Sequence, residues 1–298
     1  MSEPFFSIII PTYNRVKLLQ NVINDVMSQS IENWELIIVD DGSTDHTKSM
    51  VNSINDERIR YFYQNNMGEC EARNTGLAKA VGEWICYVDS DDTIKSDYLF
   101  CFNDIIDENY KVYCAGTSLW WPRSNKKKEY IPSNTKSELL KEYLNGHYNL
   151  MPFCLHHSIA RSRSFEKGVY YGGDFQYLLP ILISEDIITS TNITSSVVEH
   201  SGRIVGRVFQ SPQSGYRQMK HSTVDTIVTN RLSLNKFVSN KFLDKVILNK
   251  KKNFILGVAG INFSEAIELT KTENLYTIKF IFHIVLQRFK SFIKYFIK

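Results

Sequence analysis

Apolar runs alternate with stretches of helical spacing through the first ninety residues. Phe5 to Ile10, Trp34 to Val39, Ile59 to Tyr63 and Trp84 to Val88 read as short buried strands. Val16 to Met27 places Leu18, Leu19, Val22, Ile23, Val26 and Met27 at helical intervals. Thr44 to Ile54, with Ser43 or Thr44 as N-cap, and Glu71 to Ala80 predict two further helices. Such alternation predicts an α/β domain with a mainly parallel, Rossmann-like sheet flanked by helices. Three polar clusters fall at strand ends, where such sheets place their sites: Pro11-Thr12-Tyr13-Asn14-Arg15, Asp40-Asp41-Gly42-Ser43 and Asp89-Ser90-Asp91-Asp92.

Beyond Asp92 the pattern loosens. A helix is expected over 97–108, a strand over 111–119, and a basic loop over 122–134. A helix over 136–145 and a strand over 153–160 follow. Gly172-Gly173-Asp174 introduces a short helix disturbed by Pro180, and Ile187 to Val198 alternates as a strand does. The stretch 202–218 reads as loop, and helical spacing runs from Val224 to the end.

Hydrophobic residues make up 43% of the 298, enough for a core of one large domain or two small ones. A net charge of +3 gives no global nucleic-acid field. Five scattered cysteines without CxxC spacing support neither a disulfide framework nor zinc, and a reducing, cytoplasmic setting is expected. No signal peptide and no uninterrupted spanning stretch are expected.

The carboxylates of Asp89, Asp91 and Asp92 are hard oxygen donors suited to Mg²⁺ or Mn²⁺, the ions that commonly hold a diphosphate. An acidic turn capping the next helix is the plainer account of the same residues, of Asp92 above all.

Four motifs stand in order: Ile10-Pro11-Thr12-Tyr13-Asn14-Arg15, Val39-Asp40-Asp41-Gly42-Ser43, Ala72-Arg73-Asn74-x-Gly76 and Asp89-x-Asp91-Asp92. Together they make the chain resemble the inverting family 2 glycosyltransferases of GT-A fold, densely over 5–100 and thinly to about 215. The resemblance implies a GT-A domain over 1–215, its nucleotide part about 1–95 and its acceptor part about 96–215, with a helical extension over 216–298. It implies a nucleotide-sugar donor, UDP-linked by preference, and a glycan or lipid-linked glycan acceptor in surface-polysaccharide assembly. Pro11, Thr12, Tyr13, Asn14, Asp41, Gly68, Arg73 and Asp89 would line the donor site, Asp41 accepting from the base. Asp91 would hold the metal, with Asp89 toward ribose or metal-bound water.

An inverting transfer needs a general base for the acceptor hydroxyl. Asp174, before an amphipathic helix, fits the family's position, although Gly173 stands where relatives usually carry Glu. Glu185-Asp186 keeps the literal Glu-Asp pair and is the alternative. His200, Arg203, Arg207 and Gln210 fall where relatives close a loop over the diphosphate. His156-His157 reads as a strand or acceptor-wall feature. In 278–298, Lys279, His283, Gln287, Lys290, Lys294 and Lys298 share one helix face opposite Phe and Ile. That pattern predicts peripheral binding to an anionic membrane surface on its cytoplasmic face, with packing on its own domain or on a dimer partner as the plainer account. A catalytically inert membrane-associated scaffold is the competing function. A sugar-nucleotide pyrophosphorylase would need a Gly-rich phosphate loop after the first strand, which Pro11 to Asn14 is not.

Overall fold

A computed structural model of the protein describes residues 4–169, 172–198 and 220–259. The described residues fall into two compact units, one of 4–169 with 173–198, the other of Gly172 with 220–259. The boundary expected near 215, His200, the loop 202–218 with its Arg203, Arg207 and Gln210, and the basic helix 278–298 lie outside the described residues.

The first unit is built on a nine-stranded sheet of order β3-β2-β1-β4-β8-β6-β9-β5, with β7 paired to β6. The strands are β1 (Phe6–Thr12), β2 (Trp34–Asp40), β3 (Ile59–Tyr63), β4 (Trp84–Tyr87), β5 (Thr93–Ile94), β6 (Val112–Trp121), β7 (Lys126–Tyr130), β8 (Phe153–His156) and β9 (Ile187–Val198). The helices are α1 (Val16–Met27), α2 (Thr47–Asn52), α3 (Glu69–Lys79), α4 (Tyr98–Asn103), α5 (Lys136–Leu144), α6 (His157–Ala160) and α7 (Gly173–Ser184).

β1 runs parallel to both β2 and β4, and β2 parallel to β3. Chain order therefore reverses between β1 and β4, the switch point at which open α/β sheets bind ligands. Both faces of β1 and β2 are buried, which explains their continuous apolar runs. Ile8, Ile10, Leu36 and Ile38 pack with Leu19, Val22, Ile23 and Val26 of α1 in one core cluster. Each such side chain contributes roughly 1.5–3 kcal/mol when fully buried. On the other face α3 lies so close that a Cβ at Gly76 would come within 2.4 Å of Ile9 Cγ2. The glycine that interrupts this helix is what permits its approach to β1.

Beside the parallel strands β1 to β4, the rest of the sheet is mixed. β8 is antiparallel to β4 and to β6, β7 is antiparallel to β6, and β5 is antiparallel to β9. The basic loop over 122–134 folds as a hairpin, with Asn125 in the left-handed region and Lys126–Tyr130 forming β7. Its strand faces solvent, so no apolar alternation marks it. The strand expected to Ala160 stops at His156, and α4 ends at Asn103. α2 begins only at Thr47, because Asp45 Oδ1 takes the Thr47 N–H at 3.0 Å. All five cysteines are free and buried.

In the second unit, Lys220–Asp225 forms a π-helical turn, followed by helices Thr226–Thr229, Arg231–Leu234 and Asn240–Ala259. Leu234, Val238, Leu243 and Val246 are buried. Among the described residues, no helix is long and apolar enough to cross a membrane.

Candidate active site

The ends of β1, β2 and β4 bring the three polar clusters to one edge. At the first, Pro11 and Thr12 complete β1, with Thr12 level with Asp40 in β2. Thr12 Oγ1 is buried without a hydrogen-bond partner. Tyr13 is half-buried in the loop that follows. Asn14, at φ 51°, clips this loop to the second one. Its N–H donates to Ser43 Oγ at 2.8 Å, and its Oδ1 accepts from the Thr44 and Asp45 N–H groups at 2.7 and 3.3 Å. The Asn14 side-chain oxygen is thus engaged in holding the two loops together.

The Asp41 carboxylate is 96% removed from solvent and heavily bonded. Oδ1 accepts from Gln64 Nε2 at 2.8 Å and the Met67 N–H at 2.9 Å, and Oδ2 accepts from the Gly68 N–H at 2.8 Å. Asp41 therefore fixes the turn that launches α3, and the second lone pair of Oδ2 is what it has left for a ligand donor. Gly68, at φ 96°, is the N-cap residue of that helix. Asp40 is buried between the Ser43 N–H at 2.7 Å and Tyr61 Oη at 2.6 Å.

One carboxylate oxygen from each of Asp89, Asp91 and Asp92 lies within 4.8 Å of the others, a spacing a single ion can bridge. Asp92 Oδ1 also accepts from the Val198 N–H at 2.9 Å. It ties the acidic loop to β9 and does not cap α4, whose N-cap is Asp97. Asp91 pairs with Arg15 at 2.9 Å. Asp89 accepts from Arg73 Nη2 at 2.7 Å. Arg73 is 5% exposed and also pairs with Glu69, four residues before it on α3. Its guanidinium is engaged by the acidic cluster.

Asp174 stands in the first turn of α7, half-buried. Burial raises its pKa, against the opposing pull of Arg73 and of the Phe175 N–H. Glu69 feels the fields of Asp89, Asp174 and Asp91, and burial pushes its carboxyl up to about 7 against the pull of Arg73. Five carboxylates thus gather around Arg73 and Arg15, an excess of negative charge that favours a divalent cation.

Gly173 has a steric cause. A Cβ there would sit 2.3 Å from Cys70 Sγ on α3, so a larger residue needs Cys70 or its surroundings to shift. Glu185 and Asp186 lie past the other end of α7, roughly 16 Å along the helix from Asp174 at 1.5 Å per residue. Their neighbour is Lys136, whose Nζ donates to the Glu185 carbonyl at 2.7 Å. His156 is level with Trp84 at the start of β4, remote from the acidic loop at its end, and its ring meets Trp84 edge-on at 5.1 Å.

The sequence pattern assigns no role to Glu69, nor to Arg15 beyond its place in the first motif. Glu69 could have been found from its i,i+4 spacing to Arg73. The Arg15–Asp91 pair follows only from the adjacency of β1 and β4.

The mixed sheet with this acidic edge is the GT-A architecture of nucleotide-sugar glycosyltransferases. The chain belongs to glycosyl transferase family 2, whose model matches residues 7–168. It is 35% identical over 131 residues to GalNAc(5)-diNAcBac-PP-undecaprenol beta-1,3-glucosyltransferase of Campylobacter jejuni, covering 43% of this chain and 42% of that one. Among solved structures it is similar in fold to S. aureus TarS 1-349 in complex with UDP-GlcNAc, with a TM-score of 0.63 at 20% identity, over 85% of this chain and 81% of that one. It is also similar to mannosyltransferase PcManGT from Pyrobaculum calidifontis in complex with GDP-Man and Mn²⁺, with a TM-score of 0.56 at 16% identity, over 98% and 88% of the two chains. The chain spans less than two thirds of the curated relatives it matches, from 21% to 62% of the first three.

Proposed function

We propose that the protein is a metal-dependent inverting glycosyltransferase. It passes a sugar from a UDP-sugar to a hydroxyl of a glycan or lipid-linked glycan in surface-polysaccharide assembly. The observation that carries this reading is the convergence of Asp89, Asp91 and Asp92 within 4.8 Å at the switch point, with Asp174 within electrostatic reach of the same Arg73.

Asp91, with Asp89 and Asp92, would hold Mn²⁺ or Mg²⁺. Such an ion supplies charge neutralisation for the departing diphosphate. Tyr13 stacks on the base, and the remaining lone pair of Asp41 Oδ2 accepts from it. The orphaned Thr12 hydroxyl at the pocket edge gains a partner when the nucleoside binds. Arg73 orients Asp89. Asp174 takes the acceptor proton at its carboxylate as the hydroxyl oxygen attacks the anomeric carbon, and its raised pKa improves it as an acceptor. The UDP and UDP-GlcNAc complexes of TarS support uracil as the base, and the C. jejuni relative's name supports a lipid-linked acceptor. Peripheral attachment to the cytoplasmic membrane face through 278–298 rests on the sequence pattern there.

The test measures thermal stabilisation by UDP, GDP and dTDP with and without Mn²⁺, beside transfer by Asp174→Asn. Binding to the native state raises its stability by mass action. UDP should stabilise only with metal, and Asp174→Asn should keep that response while losing transfer. A preference for GDP would correct the base. Wild-type transfer by Asp174→Asn would sink the base assignment.

A further inference from the structure

We infer that Asn74 is a positioning residue for Asp174. This rests on the reading of Asp174 as the base. Asn74 belongs to the Ala72-Arg73-Asn74-x-Gly76 motif, yet it reaches neither the acidic loop nor the nucleotide edge. Its carboxamide instead bonds the backbone of Phe165 on both sides. Nδ2 donates to the Phe165 carbonyl at 2.9 Å, and the Phe165 N–H donates to Oδ1 at 2.8 Å. The amide pairs with this residue as a neighbouring strand would.

What Asn74 holds is the approach to the base. The segment 161–169 after α6 has no helix or strand of its own. Phe165, 2% exposed, stacks on Tyr177 with ring centroids 4.0 Å apart and planes 11° apart. Tyr177 stands three residues after Asp174 on α7, so both lie on one side of that helix. The Phe165 ring also meets the Arg73 guanidinium, whose carbon is 5.5 Å from the ring centroid. One turn before Asn74, Cys70 Sγ donates to the Val169 carbonyl at 3.1 Å and packs against Gly173. One face of α3 thus carries two anchors, at Cys70 and Asn74, for the chain that delivers Asp174. The adjacent positions, Glu69 and Arg73, carry the charges it must meet. Side-chain pairs four apart on a helix form such a stripe.

Of the two anchors, Asn74 governs rotation and height of α7 through Phe165 and Tyr177. Its loss leaves the Asp41 turn and the acidic loop in place, because neither bonds to it. A misplacement of about 1 Å at a reacting group can cost on the order of 10²-fold in rate.

The experiment compares the wild type with Asn74→Ala, Phe165→Leu and Asp174→Asn in the full chain. Each is measured for transfer and for thermal stabilisation by UDP with Mn²⁺. Asn74→Ala should lower kcat roughly 30- to 100-fold. Donor KM and the nucleotide response should stay within about threefold of wild type. Phe165→Leu keeps the backbone pairing and loses the stack on Tyr177; it should lower kcat in the same selective way, by less. A kcat for Asn74→Ala within twofold of wild type overturns the inference. So does a loss of nucleotide binding in parallel with kcat, which marks a general structural role. If Asn74→Ala does not fold, Phe165→Leu decides by the same split. Wild-type transfer by Asp174→Asn would instead remove the base reading, a result distinct from failure at Asn74.

Discussion

The Arg15 guanidinium lies 2.9 Å from the Asp91 carboxylate, bridging the loops that leave two adjacent parallel strands. Asp91 is 6% exposed, so Arg15 offsets a nearly buried negative charge. Removing Arg15 takes away part of the compensation for that buried charge. Arg15→Ala should therefore lower the stability of the metal-free protein by about 1–3 kcal/mol. A divalent cation replaces the lost charge, so Mn²⁺ should restore more stability to Arg15→Ala than it adds to the wild type. Denaturant unfolding with Mn²⁺ and with chelator measures this. Equal metal stabilisation in the two proteins would place the cation away from Asp91.

The contact of Gly173 with Cys70 makes a second prediction. Gly173→Ala puts a Cβ 2.3 Å from Cys70 Sγ, and overpacking of this kind costs about 1–3 kcal/mol. Cys70→Ala removes the sulfur and the Sγ to Val169 hydrogen bond, a smaller loss of about 1 kcal/mol. The double variant should recover most of the Gly173→Ala deficit. A double-mutant cycle by urea unfolding isolates the coupling, and strict additivity would show that the clash relaxes elsewhere.

Asp41 accepts from two backbone N–H groups and from Gln64 Nε2, so its charge organises the turn at 65–68. Asp41→Asn turns an acceptor toward a donor at one of these sites. Stability should fall by about 2 kcal/mol, and nucleotide affinity at least roughly tenfold. Calorimetric titration with UDP and Mn²⁺ tests it. Unchanged affinity alongside the stability loss would assign Asp41 to the turn alone.

The sheet's first half was readable because both of its faces are buried. α1 and β3 fall on the residues expected, Val16–Met27 and Ile59–Tyr63, and β9 on Ile187–Val198. β6 and β8 fall within or near the strands expected over 111–119 and 153–160, but their antiparallel pairing was not readable. β7 itself was not readable: it carries Lys126, Lys127 and Lys128 on a solvent-facing edge, so period-2 alternation is absent. The acidic cluster was readable because Asp89, Asp91 and Asp92 fall within four positions of one another. Arg15 and the Asn74–Phe165 pairing were not, because strand order and loop packing bring their partners together; Glu69 was legible only through its i,i+4 spacing to Arg73. Gly173 read as a departure from the family; its cause, Cys70, lies 103 positions earlier and touches it only in the folded chain.

Glu69 supplies the last prediction, in pH. Burial pushes its carboxyl from 4.5 to about 7, despite Arg73 beside it. Between those values the folded chain holds a proton that the unfolded chain has lost. The sign follows: this contribution is complete below about 4.5 and disappears as pH rises through about 7. Asp174, also raised by burial, acts in the same direction. His147 and His156 are depressed by burial and act oppositely, so the comparison must be made against Glu69→Gln. In chelator, the wild-type thermal midpoint should fall relative to that of Glu69→Gln between about pH 5 and pH 8. A divalent cation on Asp89, Asp91 and Asp92 favours the ionised form of Glu69. Mn²⁺ should therefore stabilise the wild type more at the upper end of that window, and the excess should vanish in Glu69→Gln. A metal response that is flat in pH, or one that survives Glu69→Gln intact, would uncouple Glu69 from the acidic loop and leave it as a local partner of Arg73.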